Sequence, residues 1–231
     1  MQTKRQRGQS GFTLVEIAIV LVIVGLLLGG ILKGQEMITQ ARIKNVVNDF
    51  NGLTAAYFSY QDRYKAVPGD DINGATRWGS GFGGQSGGGN GSVSGLYTET
   101  PPSGGLTTVN DSAGESMNFW WHLRLSGFVP GPTTGAGAAT PPVNAVGGRV
   151  GVQTGALGLP GLVVCSANVP DKIASAVDAQ LDDQAANRGQ MRARDQALST
   201  AVTAGTGSTS SEAASSYVET GGTQYVICRS V

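Results

Sequence analysis

Residues Phe12–Leu32 form an unbroken apolar run of 21 residues with a single charge, Glu16. As an α-helix the run spans about 30 Å, enough to cross the hydrocarbon core of a bilayer. The eleven residues before it are polar and basic, with Lys4, Arg5 and Arg7 and no acid. Basic residues ahead of the span and few just after it place the N-terminus in the cytoplasm and the rest of the chain beyond the inner membrane. A secretory signal peptide is the plainer reading, but the run is too long for a typical apolar core of one. No small-x-small cleavage site followed by a loop closes it. An uncleaved signal anchor passes the same test and stays open.

Glu16 separates these readings. A carboxylate inside an apolar span costs roughly 2.5–3.5 kcal/mol on insertion scales, and no side chain near it is basic. A cut between Gly11 and Phe12 would create an α-amine four residues from Glu16. Within one helix that amine points along the axis, so the amine of a neighbouring chain is the better-placed partner. Such a pair would set the stagger of helices packed side by side, because a buried charge left alone is strongly destabilising. The pattern therefore suggests polymerisation through the membrane helix.

Gly11-Phe12-Thr13-Leu14-Val15-Glu16, after a short basic leader and before an apolar run, resembles the processing site of type IV prepilins and type II secretion pseudopilins. The resemblance implies that a prepilin peptidase cuts after Gly11, that Phe12 becomes an N-methylphenylalanine terminus, and that Glu16 is the assembly glutamate. It also implies a fold class: α+β and pilin-like, a long N-terminal α-helix with a transmembrane first half, packed on a small antiparallel β-sheet head with loop-rich insertions.

Composition narrows the chemistry. The 231 residues carry 16 basic and 16 acidic side chains. Loss of Lys4, Arg5 and Arg7 with the leader would leave 13 basic against 16 acidic, about −3, so no nucleic acid is expected on the head as a whole. One histidine, His122, and two cysteines exclude a multi-histidine or four-cysteine metal centre. The 36 glycines follow no triplet period, which excludes collagen.

No proline interrupts Phe12–Val67, and Ile43, Val46, Phe50, Leu53, Tyr57, Tyr60 and Tyr64 recur at spacings of three and four. That is one helical face. It predicts a continuous helix of roughly 54 residues whose second half packs on a head; an aromatic row at this spacing is core rather than a conducting stack. Gly25, Gly29, Gly30 and Gly34 each weaken a helix by about 1 kcal/mol relative to alanine. They read either as sites of close helix approach or as a segment that melts in a filament. Pro68-Gly69-Asp70-Asp71 ends the helix.

Gly79–Gly95 reads as a flexible surface loop. Gly79–Gly84 fits a dinucleotide fingerprint without the flanking strand and helix. Gly84–Gly88 fits a nucleophile elbow around Ser86, with Asp111 and His122 downstream, but lacks the strained strand-to-helix turn. No enzyme is expected. Glu115–Phe128 reads as a short amphipathic helix with His122 packed or at its solvent edge, and Pro130–Pro142 as a second loop. Runs at Arg149–Gln153, Leu162–Ser166 and Gln224–Arg229 are β-like and expected to pair antiparallel. Pro170–Leu181 reads as a helix with Ile173, Val177 and Leu181 on one face.

Cys165 and Cys228 lie in two of the β-like runs. Outside the cytoplasm an oxidised pair is expected, with two buried thiols as the alternative; a bridge here resembles the disulfide-bounded C-terminal region of type IV pilins. Leu181–Gly189 resembles the acidic turn of some pseudopilin heads, a subset of which bind calcium. Asp182 and Asp183 are the calcium candidates on that resemblance, with Asp70, Asp71 and Asn73 as other hard oxygen donors; the spacing fits no defined calcium loop, and no other cofactor is expected.

The organisation expected is a cleaved leader at 1–11, a transmembrane and polymerisation helix at 12–33, the periplasmic half of that helix at 34–66 and a head at 67–231. The resemblance implies a major or minor pilin of a type IV pilus, or fimbrium, serving adhesion, motility or uptake. A pseudopilin of the type II protein-secretion piston and a monomeric membrane-anchored binding protein are the alternatives. The partners implied are prepilin peptidase, other pilin subunits in a homo- or hetero-polymer, the inner-membrane assembly platform, and the membrane before assembly. The location implied is the bacterial inner membrane, single-pass with the head periplasmic, and then a surface pilus or periplasmic pseudopilus.

Overall fold

The computed structural model describes Gly11 and residues 13–79, 85–101, 114–197, 213–214 and 216–231. Two compact units divide the chain, Met1–Ala41 and Arg42–Val231. Helix α1 (Leu14–Tyr64, 51 residues) begins in the first and ends in the second.

In the first unit every side chain from Thr13 to Lys33 is exposed. This part of α1 is long and apolar enough to cross a membrane. It stays helical through Gly25, Gly29, Gly30 and Gly34, where an added Cβ would meet open space. Among the described residues nothing requires glycine at those positions. Lys33 and Glu36, paired at 2.7 Å, mark the end of the apolar run.

In the second unit Ile43, Val46, Phe50, Leu53 and Tyr60 are buried as the spacing predicts, while Tyr57 and Tyr64 are half-buried. Ala56 joins the stripe; alanine carries too little hydrophobic signal to be singled out. Fully burying a side chain such as Val46 or Phe50 is worth about 1.5–3 kcal/mol. Helix α1 stops at Tyr64. Lys65 takes a left-handed φ of 52°, and Pro68 follows, which has no amide hydrogen to continue a helix.

Four antiparallel strands form one sheet: β1 (Val150–Ala156), β2 (Leu159–Pro170), β3 (Met191–Asp195) and β4 (Gln224–Ser230), in the order β1-β2-β4-β3. The final strand thus lies between β2 and β3. Strand alternation divides the core. Val164, Tyr225 and Ile227 join α1 in the main cluster, whereas Val163, Cys165, Val226 and Cys228 form a second cluster with Tyr97 and Leu159. Helix α5 (Asp171–Leu181) buries Ile173 and Val177, and Leu181 is half-buried.

Three expectations need correction. β3 was not anticipated: Met191 and Ala193 are buried between Arg192 and Arg194, a period-2 pattern too short and too basic to read as a strand. Helix α3 (Glu115–Leu125) is not amphipathic, because every residue from Glu115 to Arg124 is buried. The charged and polar side chains on it face loop backbone that needs partners, not water. Finally, the described part of the glycine-rich segment is anchored rather than free. Buried Asp70 accepts amide hydrogens from Gly89, Asn90 and Gly91. Buried Glu115 accepts those of Gly88 at 2.7 Å and Ser94 at 2.8 Å.

These anchors explain the glycines. At Gly87 a Cβ would lie 2.3 Å from both the Asp70 Cα and the Gly69 carbonyl oxygen, so only glycine lets the strap lie on the turn after α1. Gly74–Trp78 (α2) and Ala136–Ala139 (α4) complete the described helices. Arg124 reaches from α3 to donate to the Gly137 and Ala138 carbonyls of α4.

Candidate functional site

At the start of α1, Thr13 and Glu16 hold each other. The Thr13 amide and hydroxyl both donate to Glu16 Oε2 at 2.8 Å, and the Glu16 amide donates back to Thr13 Oγ1 at 3.3 Å. Thr13 is therefore the N-cap and Glu16 the third helical residue of a capping box. The helix end presents four amide hydrogens without intrahelical partners and the positive end of the macrodipole, both of which favour a carboxylate. The absence of basic side chains around Glu16 is thus met locally by a hydroxyl and two reciprocal amide bonds. Gly11 is exposed. Phe12 and the leader residues 1–10, Lys4, Arg5 and Arg7 among them, lie outside the described residues.

Cys165 and Cys228 are bonded as a disulfide and sit directly opposite each other on β2 and β4, both fully buried. The bridge closes the segment that carries α5 and β3 and ties the final strand to the middle of the sheet.

His122 is fully buried, with both ring nitrogens against backbone. Nδ1 accepts the Gly69 amide hydrogen at 3.0 Å and Nε2 lies 2.8 Å from the Gln85 carbonyl oxygen. Ser86 Oγ accepts the Ala75 amide hydrogen. Both imidazole nitrogens are therefore committed to backbone, and Asp111 and residues 80–84, which complete the two glycine motifs, lie outside the described residues. Burial holds the imidazole at about 4, below its ordinary 6.5, with the Gln85 carbonyl opposing.

Of the hard-oxygen candidates, Asp70 and Asp71 are taken. Asp70 holds the glycine strap, and Asp71 accepts the Tyr60 hydroxyl, the Asn73 amide and the Arg77 guanidinium. The acidic turn is more open. Asp178 of α5, not singled out by the sequence, lies with Asp182 and Asp183 so that one oxygen of each falls within 4.8 Å of the others. Asp178 is fully buried; Oδ2 accepts the Tyr217 hydroxyl at 2.6 Å, while among the described residues Oδ1 has no hydrogen-bond partner. Burial raises its carboxyl pKa, and Asp182 and Asp183 add to the rise. Asp182 Oδ2 accepts the Gln190 and Met191 amides, and Asp183 accepts from Ala185 and Arg188. An orphaned buried oxygen beside two exposed carboxylates fits a hard divalent cation. A helical i, i+4 repeat could have pointed to Asp178 beside Asp182.

Residues 6–32 match the family model of the prokaryotic N-terminal methylation motif. This is the signature of type IV pilins and pseudopilins. The match runs from Gln6, within the leader, to Leu32 at the end of the apolar run. No curated protein and no solved structure matches the chain. The long helix set against a small four-stranded antiparallel sheet is a pilin-like α+β layout. The motif implies processing by prepilin peptidase and assembly with other pilin subunits, and with the apolar helix it fits a membrane-anchored pilin.

Proposed function

We propose that the chain is a structural subunit of a type IV pilus, cut between Gly11 and Phe12, methylated on Phe12 and polymerised through α1. The methylation motif carries this reading. The exposed apolar face of Leu14–Leu32 supports it, because a row of that length needs lipid before assembly and neighbouring helices after it. In this reading Glu16 meets the α-amine of an adjacent subunit, the head is periplasmic before assembly, and adhesion, motility or uptake is the filament's task. The disulfide that ties β4 to β2 resembles the one that bounds the C-terminal region of type IV pilins and so favours a pilus subunit over a pseudopilin. The role is structural, and the committed nitrogens of His122 support that.

The acidic turn supports the pseudopilin reading, with calcium held by Asp178, Asp182 and Asp183. Mass spectrometry of N-termini in sheared surface material and in membranes tests the choice. A methylated Phe12 terminus abundant in the sheared fraction is the expected result. The same terminus confined to membranes would favour the pseudopilin, and an intact Met1 terminus in both would return the chain to a plain membrane anchor.

A further inference from the structure

One cleft in the head, about 530 Å³ in volume and so within the range of small-ligand sites, is lined by Tyr97, Thr98, Val143, Arg149, Asn168 and Gln196 among others. Strand geometry builds it. The pairing of β2 with β4 breaks between Ser166 and Val169. Asn168, inside that break, takes a left-handed φ of 56°, which asparagine tolerates better than most side chains. Its backbone amide donates to Gln196 Oε1 at 2.7 Å, and Gln196 Nε2 donates in return to Asn168 Oδ1. Because a backbone N–H can only donate, this contact fixes which way both side-chain amides point. Just before β1, Arg149 donates through Nη1 to the Thr98 carbonyl, and its own carbonyl accepts the Ala167 amide hydrogen at 2.9 Å. Buried Asn144 braces β2 by donating to Ser166 Oγ at 2.7 Å and to the Ala167 carbonyl at 2.8 Å. The cleft is thus held in shape before any ligand enters.

The donors left over decide what it can hold. In the reciprocal pair each amide oxygen already accepts, which leaves one N–H on Gln196 and two on Asn168. Arg149 keeps Nε and Nη2, and among the described residues none of these groups has a hydrogen-bond partner. No described residue lining the cleft is acidic, so the Arg149 charge is unopposed there. We propose that the cleft binds a carboxylate-bearing sugar of the uronic or sialic acid class. The Arg149 guanidinium pairs with the carboxylate, whose two oxygens match its fork. The Asn168 and Gln196 amides donate to ring hydroxyl oxygens, and the second lone pair of each amide oxygen takes a hydroxyl hydrogen in return. Exposed Val143 offers an apolar edge to the C–H face of the ring. Acetate or phosphate would fill only a small part of this volume, and a neutral sugar would leave the guanidinium without its counter-charge. The inference does not rest on the pilus reading, because every residue named lies within Arg42–Val231 and none in the polymerisation segment.

The test titrates the full chain in detergent with glucuronic acid and N-acetylneuraminic acid, and with glucose, acetate and inorganic phosphate for comparison. NMR of the Asn168 and Gln196 side-chain amides locates the binding. Saturable shifts of those signals by at least one sugar acid are expected, with glucose, acetate and phosphate each about tenfold weaker or more, the scale of one hydrogen-bonded charge. Arg149→Gln removes the charge and should weaken binding about tenfold or more. Arg149 also holds the Thr98 carbonyl, so a second variant guards against a loss of fold. Asn168→Gly keeps the left-handed backbone and the amide that anchors Gln196 while removing two donors, and should weaken binding about threefold to tenfold. No saturable shift by either sugar acid up to about 10 mM, where a millimolar Kd would show, would overturn the proposal. Glucose, acetate or phosphate binding as tightly as the sugar acids would overturn it too, as would wild-type affinity in Asn168→Gly.

Discussion

His122 lies flat against Tyr60, the ring centroids 5.9 Å apart and the planes 5° from parallel. One ring belongs to α3 and the other to α1, so the stack joins the buried helix to the long one. Around it Tyr60 donates to Asp71, Arg77 pairs with Asp71, and His122 takes the Gly69 amide. The turn after α1 is therefore held by a polar network inside an aromatic cluster. Asp71 is kept ionised there: burial pushes its carboxyl pKa up, but Arg77, Tyr60 and Asn73 together bring it below the usual value.

Acid should loosen this joint. The folded His122 resists protonation down to about 4, against 6.5 unperturbed, so the unfolded chain binds more protons between those values. Stability is fully present above about 6.5 and is lost as pH falls toward about 4, by on the order of 3 kcal/mol for this group. Asp178, whose carboxyl pKa is raised, acts in the opposite direction. Thermal melts of the detergent-solubilised chain at pH 7 and 4.5 should show a larger drop for wild type than for His122→Gln. An equal drop would place the acid sensitivity elsewhere.

The imidazole tautomer follows from its partners. Nδ1 faces an N–H and must accept, while Nε2 faces a carbonyl and must carry the proton. Nitrogen NMR at pH 6 should find a neutral ring protonated on Nε2. A protonated Nδ1 would mean that the Gly69 contact is not formed in solution.

Two glycines should respond with opposite signs. Gly87→Ala forces a Cβ into backbone 2.3 Å away and should cost about 1–3 kcal/mol, the range for overpacking a filled site. Gly52 is an exposed residue inside α1 with open space around it. Gly52→Ala should stabilise by about 1 kcal/mol from helix propensity alone. Urea melts of both variants check the pair.

Reduction should act only through unfolding. The Cys165–Cys228 bridge is fully buried, so thiol reagent should cleave it at the rate at which β4 opens. The Cys165→Ala, Cys228→Ala double variant should lose about 4 kcal/mol in the chain-entropy account. A bridge reduced within seconds in the folded protein would contradict the burial.

Calcium offers a separable test of the acidic turn. Millimolar calcium should raise the melting temperature of wild type and leave Asp178→Asn unmoved, since that variant removes the charge of the buried ligand. Equal shifts in both would mean general screening rather than a site.

The apolar first half of α1, its membrane-compatible length and the buried stripe of the second half were legible because each rests on local spacing. Helical period, an unbroken apolar run and capping chemistry within four residues are properties of neighbours along the chain. The capping box is local as well, spelled out by Thr13-Leu14-Val15-Glu16. The three strands with β-branched or apolar runs were found, with boundaries off by a few residues, for the same reason.

The rest depends on contacts that the linear order does not reveal. Gly87 and Gly89 read as loop filler until Asp70 and Glu115 are seen holding the strap from 19 and more residues away. Arg192 and Arg194 hid β3, because charged side chains suppress the apolar signal while only Met191 and Ala193 join the core. Charged residues on α3 looked solvent-facing, yet burial puts them against loop carbonyls and amides that need them. Sequence by itself determined the long N-terminal helix, the apolar run long enough to cross a membrane and the helix at Asp171–Leu181, since those follow from composition along a few turns; α2 and α4 are too short to leave such a signal. Which polar groups are buried, and which glycines are obligatory, was decided only when distant backbone came within hydrogen-bonding distance and had to be satisfied.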